Sequence, residues 1–161
     1  MSWMSTPIYI NIRKFREIFL LYARINLAET SYTELTIYKI LKNPDIHQLN
    51  TIYAAYCRHK KFKSVMPIFD SEYTDPKNDV IGYYDNNKLV AFSLIRKYDA
   101  ENAECIQFAW DYKTPELKLG FVSLENECAI YKKQGFKYLY LGEAAEYKKK
   151  FVGFEILGPT I

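Results

Sequence analysis

The run IQFAWDYKTPELKLGFVSLENECAIYKKQGFKYLYLG, from Ile106 to Gly142, limits the fold more than any other stretch of the chain. It reads as a strand, a ten-residue turn ending at Gly120, an amphipathic helix, a second glycine at Gly135 and another strand. Phe121, Leu124, Cys128 and Tyr131 recur on one helical stripe, while Glu125, Glu127, Lys132 and Lys133 fall outside it and are expected on the solvent side. Gly135 stands where a helix C-terminus needs a left-handed residue. The first amides of a helix have no internal partners and lie at its positive end. In a compact α/β protein such a strand-to-helix junction holds anionic or polar ligands.

The rest of the chain reads as support for that junction. A chain of 161 residues, 49% hydrophobic and 25% charged, has the size and composition of one domain with a core, which excludes a disordered or fibrous protein. A net charge of +3 permits nucleic-acid contact without requiring it. The 15 tyrosines fit interface use, base stacking or codon bias. Cys57, Cys105 and Cys128 have neither CxxC nor ligand spacing with His47 and His59, so neither a metal nor a disulfide framework is expected. No apolar run approaches a membrane span, and MSWMSTP lacks the order of a signal peptide. A cytoplasmic location is expected.

Between Pro7 and Ile40 the segments IYINIRKF, REIFLLYARINLAE and ELTIYKIL read as two or three strands, with a helix over Arg16 to Ala28 as the alternative. Asn43 and Pro44 read as the cap and first residue of a helix whose face is Ile46, Leu49, Ile52, Tyr53 and Tyr56. Its basic end, Arg58, His59, Lys60, Lys61 and Lys63, suits the negative pole of a helix or a phosphate. Met66 to Asn78 reads as a surface loop, and Asp79 to Asp99 as a hairpin turning at Asp85, Asn86 and Asn87. ECIQFAWDY continues as a third antiparallel strand. FKYLYLG, EAAEYKKKF and GFEILGP close the chain as strand, short helix and strand.

This order, β, α, β, β, β, α, β, α, β with extra strands in front, and the GFE at Gly153 to Glu155 resemble the GCN5-related N-acetyltransferase (GNAT) fold. The resemblance implies an α+β fold: a single GNAT-like domain over 35–161 with a mixed, mostly antiparallel sheet flanked by helices, and residues 1–34 as an extension of added strands. It also implies an acyl donor held in a V-shaped opening between two strands. The junction loop, KTPELKLGF, lacks the glycine-rich pattern that wraps a coenzyme A pyrophosphate, where side chains would block the approach. A nearer resemblance is to the C-terminal half of the arginyl and leucyl aminoacyl-tRNA–protein transferases. NNKLVAF (Asn86 to Phe92), WDYKTPELKLG (Trp110 to Gly120) and YKKKFVGFEILGP (Tyr147 to Pro159) carry it, with Tyr147, Lys148, Phe151, Leu157 and Pro159 in matching places. No counterpart of that family's cysteine-bearing N-terminal domain is expected within these 161 residues, and Gly153 stands in place of its proline.

The resemblance implies an aminoacyl group passing from the 3′ end of a tRNA to an amine, on a protein or a small molecule, with no tightly bound cofactor. Acetyl-coenzyme A as donor to an N-acetyltransferase, and a binding module without catalysis, stay open as alternatives. Aminolysis of an ester needs a free amine, oxyanion donors and a proton for the leaving hydroxyl. Amides along Ile106 to Trp110 are candidate oxyanion donors. Asp111, to hold an amine, and Tyr147, as general acid, are the candidate catalytic residues; local turn bonding and helix packing are their other readings. Phe108, Trp110, Leu119, Gly120 and Phe121 are candidates for donor binding. Arg58, Lys60, Lys61, Lys148, Lys149 and Lys150 are candidates for nucleic-acid contact, of weight only where they converge on one surface.

Overall fold

The computed structural model describes residues 22–62 and 68–158. The expected strand IYINIRKF, the start of REIFLLYARINLAE, Lys63, Met66 and Pro159 lie outside them. The described chain forms a seven-stranded mixed sheet in the order β2-β3-β4-β5-β6-β1-β7. Its strands are β1 (Tyr22–Asn26), β2 (Tyr38–Leu41), β3 (Asn78–Asp85), β4 (Lys88–Lys97), β5 (Asn102–Trp110), β6 (Tyr138–Glu143) and β7 (Phe154–Leu157). Two helices, α1 (Ile46–Lys60) and α2 (Leu119–Lys133), cover opposite faces. Every neighbouring pair is antiparallel except β5 and β6.

β4 lies in the middle of the sheet, which is why LVAFSLI is apolar almost without alternation: Phe92 and Leu94 pack under α1 while Ala91 and Ile95 pack under α2. The β3–β4 hairpin turns on Asn86 and Asn87, at φ 49° and 63°, the left-handed pair that a two-residue turn demands. β1 lies within the stretch read as an N-terminal extension, yet it is wedged between β6 and β7, where Ile25 is fully buried. Gly153, at φ +79°, is the turn residue that leads into β7 beside this strand. A Cβ there would stand 2.5 Å from the Asn26 carbonyl, and proline, locked near φ −65°, could not adopt the turn at all.

α1 starts two residues later than the Asn43–Pro44 signal suggests. Asp45 is its cap and accepts from the Gln48 amide at 3.2 Å, so Pro44 precedes the cap instead of following it. The expected face is the one that packs, with Leu49 and Ile52 buried and Ile46, Tyr53 and Tyr56 beside them. The loop before β3 contains a 3-10 turn, Asp70–Tyr73, that plants the Tyr73 ring in the core under α1. EAAEYKKKF forms a 3-10 turn, Glu146–Lys150, where a short α-helix was expected.

α2 departs most from expectation. Besides the apolar stripe, Ser123, Asn126 and Glu127 are buried, so Glu127 faces the interior and not solvent. Ala129 and Ile130 widen the apolar surface beyond one stripe, and a helix apolar on several sides is covered on several sides. Gly135, at φ +91°, closes α2 as expected.

Candidate functional site

β5 and β6 run side by side only from Asn102–Tyr138 to Glu104–Tyr140, then part. The parting has a local cause on β5. Opposite β4, Leu94 pairs with Gln107 and Ile95 with Cys105, so Ile106 is an extra residue, a bulge that bends the strand away from its neighbour. The opening is a cleft of about 420 Å³. β5 contributes Cys105 and Phe108 to it, α2 contributes Gly120 and Glu127, α1 contributes Tyr56 and Lys60, and the 3-10 turn contributes Tyr147 and Lys148. A larger groove, of about 620 Å³, lies elsewhere on the sheet against Tyr22, Tyr98 and Tyr140. The smaller cleft is the one at the strand-to-helix junction.

The loop from β5 to α2 is held by positive backbone angles at Tyr112 (φ 57°) and Lys118 (φ 48°). Such angles are costly outside glycine and collect at functional sites. Tyr112's conformation lays its ring 3.8 Å from the His59 ring, stacked, and 4.4 Å from that of Trp110. Tyr56 stacks at 5.9 Å, and the Lys60 amine stands 5.4 Å from the same ring. The end of α1 is thereby locked to the mouth of the cleft. Lys118, in its left-handed conformation, gives α2 no side-chain cap, so the N-terminus of the helix is left for other acceptors.

Of the residues singled out in the sequence, Phe108, Gly120, Phe121, Lys60, Tyr147 and Lys148 meet at the cleft. Trp110 and Leu119 are core residues behind it. The Asp111 carboxylate accepts from the Lys113 amide at 3.1 Å, the local turn bond, while its own amide extends the ladder to Val90. Among the described residues a Cβ on Gly120 would meet only the Phe108 ring, at 3.8 Å, so none of them requires glycine there. Phe121 stacks on Phe151 at 4.6 Å and ties the start of α2 to the turn that bears Tyr147.

The two basic segments do converge, through one residue each. Lys60 and Lys148 line the cleft, whereas Arg58, Lys61 and Lys150 are exposed away from it and Lys149 pairs with Glu146 at 2.8 Å. The Lys148 amine donates to the carbonyls of Leu141 (2.9 Å) and Glu143 (2.8 Å), satisfying the edge of β6 that β5 leaves behind, and burial pushes its pKa down. Burial pushes the Tyr147 hydroxyl up.

The residue that the sequence reading missed is Glu127. Burial pushes its carboxyl up to about 8, with the nearby hydroxyls of Ser93 and Tyr83 holding it down in part. The Tyr83 hydroxyl stands 3.1 Å from both Glu127 Oε2 and the Ser123 carbonyl, and Asn126 donates to it at 3.3 Å. The available signal was the apolar breadth of α2, which condemns any central polar residue to burial. Among the described residues no cluster of His, Cys, Asp and Glu could hold a metal ion, and no helix is long and apolar enough to cross a membrane.

With this geometry in place, one sequence comparison is decisive: residues 48–158, more than half of the chain, match the family described as arginine-tRNA-protein transferase, C terminus. The chain belongs to that family. No curated protein matches it in sequence. Among solved structures, a putative GNAT-family acetyltransferase from Novosphingobium aromaticivorans is similar with a TM-score of 0.59 at 16% identity, covering 86% of this chain and 60% of its own. The C-terminal domain of a putative lysylphosphatidylglycerol synthetase from Agrobacterium fabrum is similar at 0.58 and 14% identity, covering 78% and 47%. Saccharomyces cerevisiae N-myristoyltransferase with bound myristoyl-CoA is similar at 0.56 and 12% identity, covering 75% and 41%. These likenesses establish the GNAT fold, and the chain spans roughly half the length of those proteins. The family and the fold together support an acyltransferase.

Proposed function

We propose that the β5/β6 cleft transfers an aminoacyl group from the 3′ end of a charged tRNA to an amine. The observation that carries this reading is the meeting of Lys60 and Lys148, from two separate elements, with Tyr56, Tyr112 and Tyr147 around one opening. A nucleic-acid end presents phosphates and a base, which clustered cations and aromatic faces bind. The family name agrees with a tRNA donor. The ester is already activated, so positioning and charge stabilisation supply most of the acceleration. The amides of β5 beside the Ile106 bulge face the acyl carbonyl, and the Tyr147 hydroxyl is the proton donor for the leaving ribose oxygen. Such a protein works where tRNA is charged, in the cytoplasm, without a tightly bound cofactor.

Radiolabelled aminoacyl-tRNAs supplied with acceptor peptides and whole lysate test the donor. Label must reach acid-stable protein or peptide; retention of all label on tRNA, for every amino acid tried, would sink the reading. One observation favours coenzyme A instead. The N-terminus of α2 is uncapped and Gly120 leaves space beside it. Against it stands the bulk of the loop before α2. A rise in melting temperature with coenzyme A at concentrations well above its dissociation constant would favour that donor.

A further inference from the structure

Resting on the reading of the cleft as an acyl-transfer site, we propose that Glu127 receives the acceptor amine there and takes its proton as the nitrogen attacks. Glu127 is 2% exposed, in the middle of α2, and lines the cleft. Its Oε2 has the Tyr83 hydroxyl at 3.1 Å and its Oε1 has the Cys105 thiol at 4.0 Å. The groups that face it are Tyr83 from β3, Ser93 from β4, Cys105 from β5, and Cys128 and Tyr131 from α2 itself. None of these is a cation. Among the described residues no lysine or arginine pairs with Glu127, and Lys148, which lines the same cleft, gives its amine to the carbonyls of β6.

The ionised form of a carboxyl buried without a cation is expensive, which is why this one keeps its proton up to about pH 8, and it can ionise at lower pH only when a cation enters beside it. The missing partner is a ligand that brings a positive charge or a proton of its own. Phosphate has the wrong sign for this position, whereas an amine fits it and is the second substrate that aminolysis requires. Burial also brings the carboxyl to about 8, and a general base is most effective with a pKa near the working pH. In the step, the nitrogen lone pair forms the bond to the ester carbonyl carbon and the bond from that carbon to the ribose oxygen breaks. The surplus proton on nitrogen passes to the Glu127 carboxylate, the ribose oxygen takes a proton from the Tyr147 hydroxyl, and both residues return to their starting states through solvent.

The first measurement needs no transfer activity. Protein carrying ¹³C in its glutamate carboxyls is titrated by NMR with and without methylammonium chloride. The resonance missing from the spectrum of Glu127→Gln should titrate above neutrality, and methylammonium should lower its midpoint by about one unit or more where equal sodium chloride does not. An unmoved midpoint overturns the amine site whether or not transfer is seen. The second measurement uses aminoacyl-tRNA as donor and glycinamide as acceptor. Glu127→Gln should lower kcat/KM about 100-fold and abolish the limb of the pH profile that Glu127 controls, with part of the rate restored in Glu127→Asp. N-acetylated aminoacyl-tRNA should show the same loss. A loss confined to donors with a free α-amine would overturn the acceptor role and assign Glu127 to the donor. A midpoint shift without transfer from any aminoacyl-tRNA would uphold the amine site and remove the tRNA reading alone.

Discussion

α1 and α2 are each fifteen residues long and lie on opposite faces of one sheet, yet they carry opposite patterns of burial. α1 buries Leu49 and Ile52, half-buries Ile46, Tyr53 and Tyr56 beside them and leaves its charged residues exposed, so those cost nothing, and its contact with the cleft comes from its last turns. α2 buries nine residues, among them Ser123, Asn126 and Glu127. A helix covered on several sides can hold a charged group away from water, and one that is half solvated cannot. The difference explains why α2 presents a buried carboxyl to the cleft while α1 supplies a lysine and a ring at its rim.

The comparison is tested hardest by pH. The carboxyl of Glu127 is raised to about 8 in the folded protein from an ordinary value of 4.5. An acid whose folded pKa is raised contributes stability that is fully present below its unfolded pKa and is lost as pH rises through the folded one. Unfolding free energy should therefore fall by on the order of 5 kcal/mol between the two values, and Glu127→Gln should flatten that slope. Urea unfolding at closely spaced pH values reads it directly. A wild-type slope indistinguishable from that of Glu127→Gln would place the carboxyl in contact with water and erase the contrast with α1.

Asparagines on the two helices provide the next largest effect. Asn126 is fully buried, accepts from the Leu35 amide at 2.7 Å and donates to the Tyr83 hydroxyl at 3.3 Å. Asn126→Ala leaves a backbone donor unpaired and should cost about 1–3 kcal/mol. Asn50 on α1 is exposed and reaches Asp70 at 3.3 Å, so Asn50→Ala should stay within about 0.5 kcal/mol. Equal costs would mean that α2 is no better covered than α1.

What could be read without coordinates follows the same division. The face of α1 was legible because its apolar residues keep one helical period, and the β3–β4 hairpin was legible because Asn86 and Asn87 tolerate the angles its turn needs. The GNAT architecture and the strand-to-helix junction were likewise visible in the order of elements. Glu127 was not, because a stripe drawn through Phe121, Leu124, Cys128 and Tyr131 assigns every other position to solvent, and only the added apolar residues Ala129 and Ile130 betray that the helix is covered on a second side. The position of β1 between β6 and β7 was hidden for a related reason: strand order is set by long-range pairing, which no local pattern records. Asp111 looked chemical by its place in the junction, yet its carboxylate is held by the turn that it begins.

The helix starts sharpen the contrast at a smaller scale. Asp45 caps α1, and Asp45→Ala should cost about 1 kcal/mol. Lys118 starts α2 uncapped at φ 48°, where a Cβ is strained. Lys118→Gly should stabilise by a few tenths of a kcal/mol, the relief of strain exceeding the added freedom of the unfolded chain. Denaturation midpoints of the two variants should thus move in opposite directions.

Salt dependence separates what each helix offers a nucleic acid. Lys60 lines the cleft from the last turn of α1, while Lys61, the next residue, turns away in a left-handed conformation at φ 55°. If a single-stranded tRNA end lies in the cleft, removing one phosphate contact lowers the slope of log affinity against log salt by about 0.7. Lys60→Ala should show that change in slope together with a several-fold weaker affinity for aminoacyl-tRNA by fluorescence anisotropy, and Lys61→Ala should show neither. Glu127→Gln, on the other helix, should leave the slope as it is, because the partner proposed for it is an amine and carries no phosphate. Equal changes in Lys60→Ala and Lys61→Ala would mean that charge acts diffusely over the end of α1, and the division between a helix that steers the donor and a helix that handles the amine would fail.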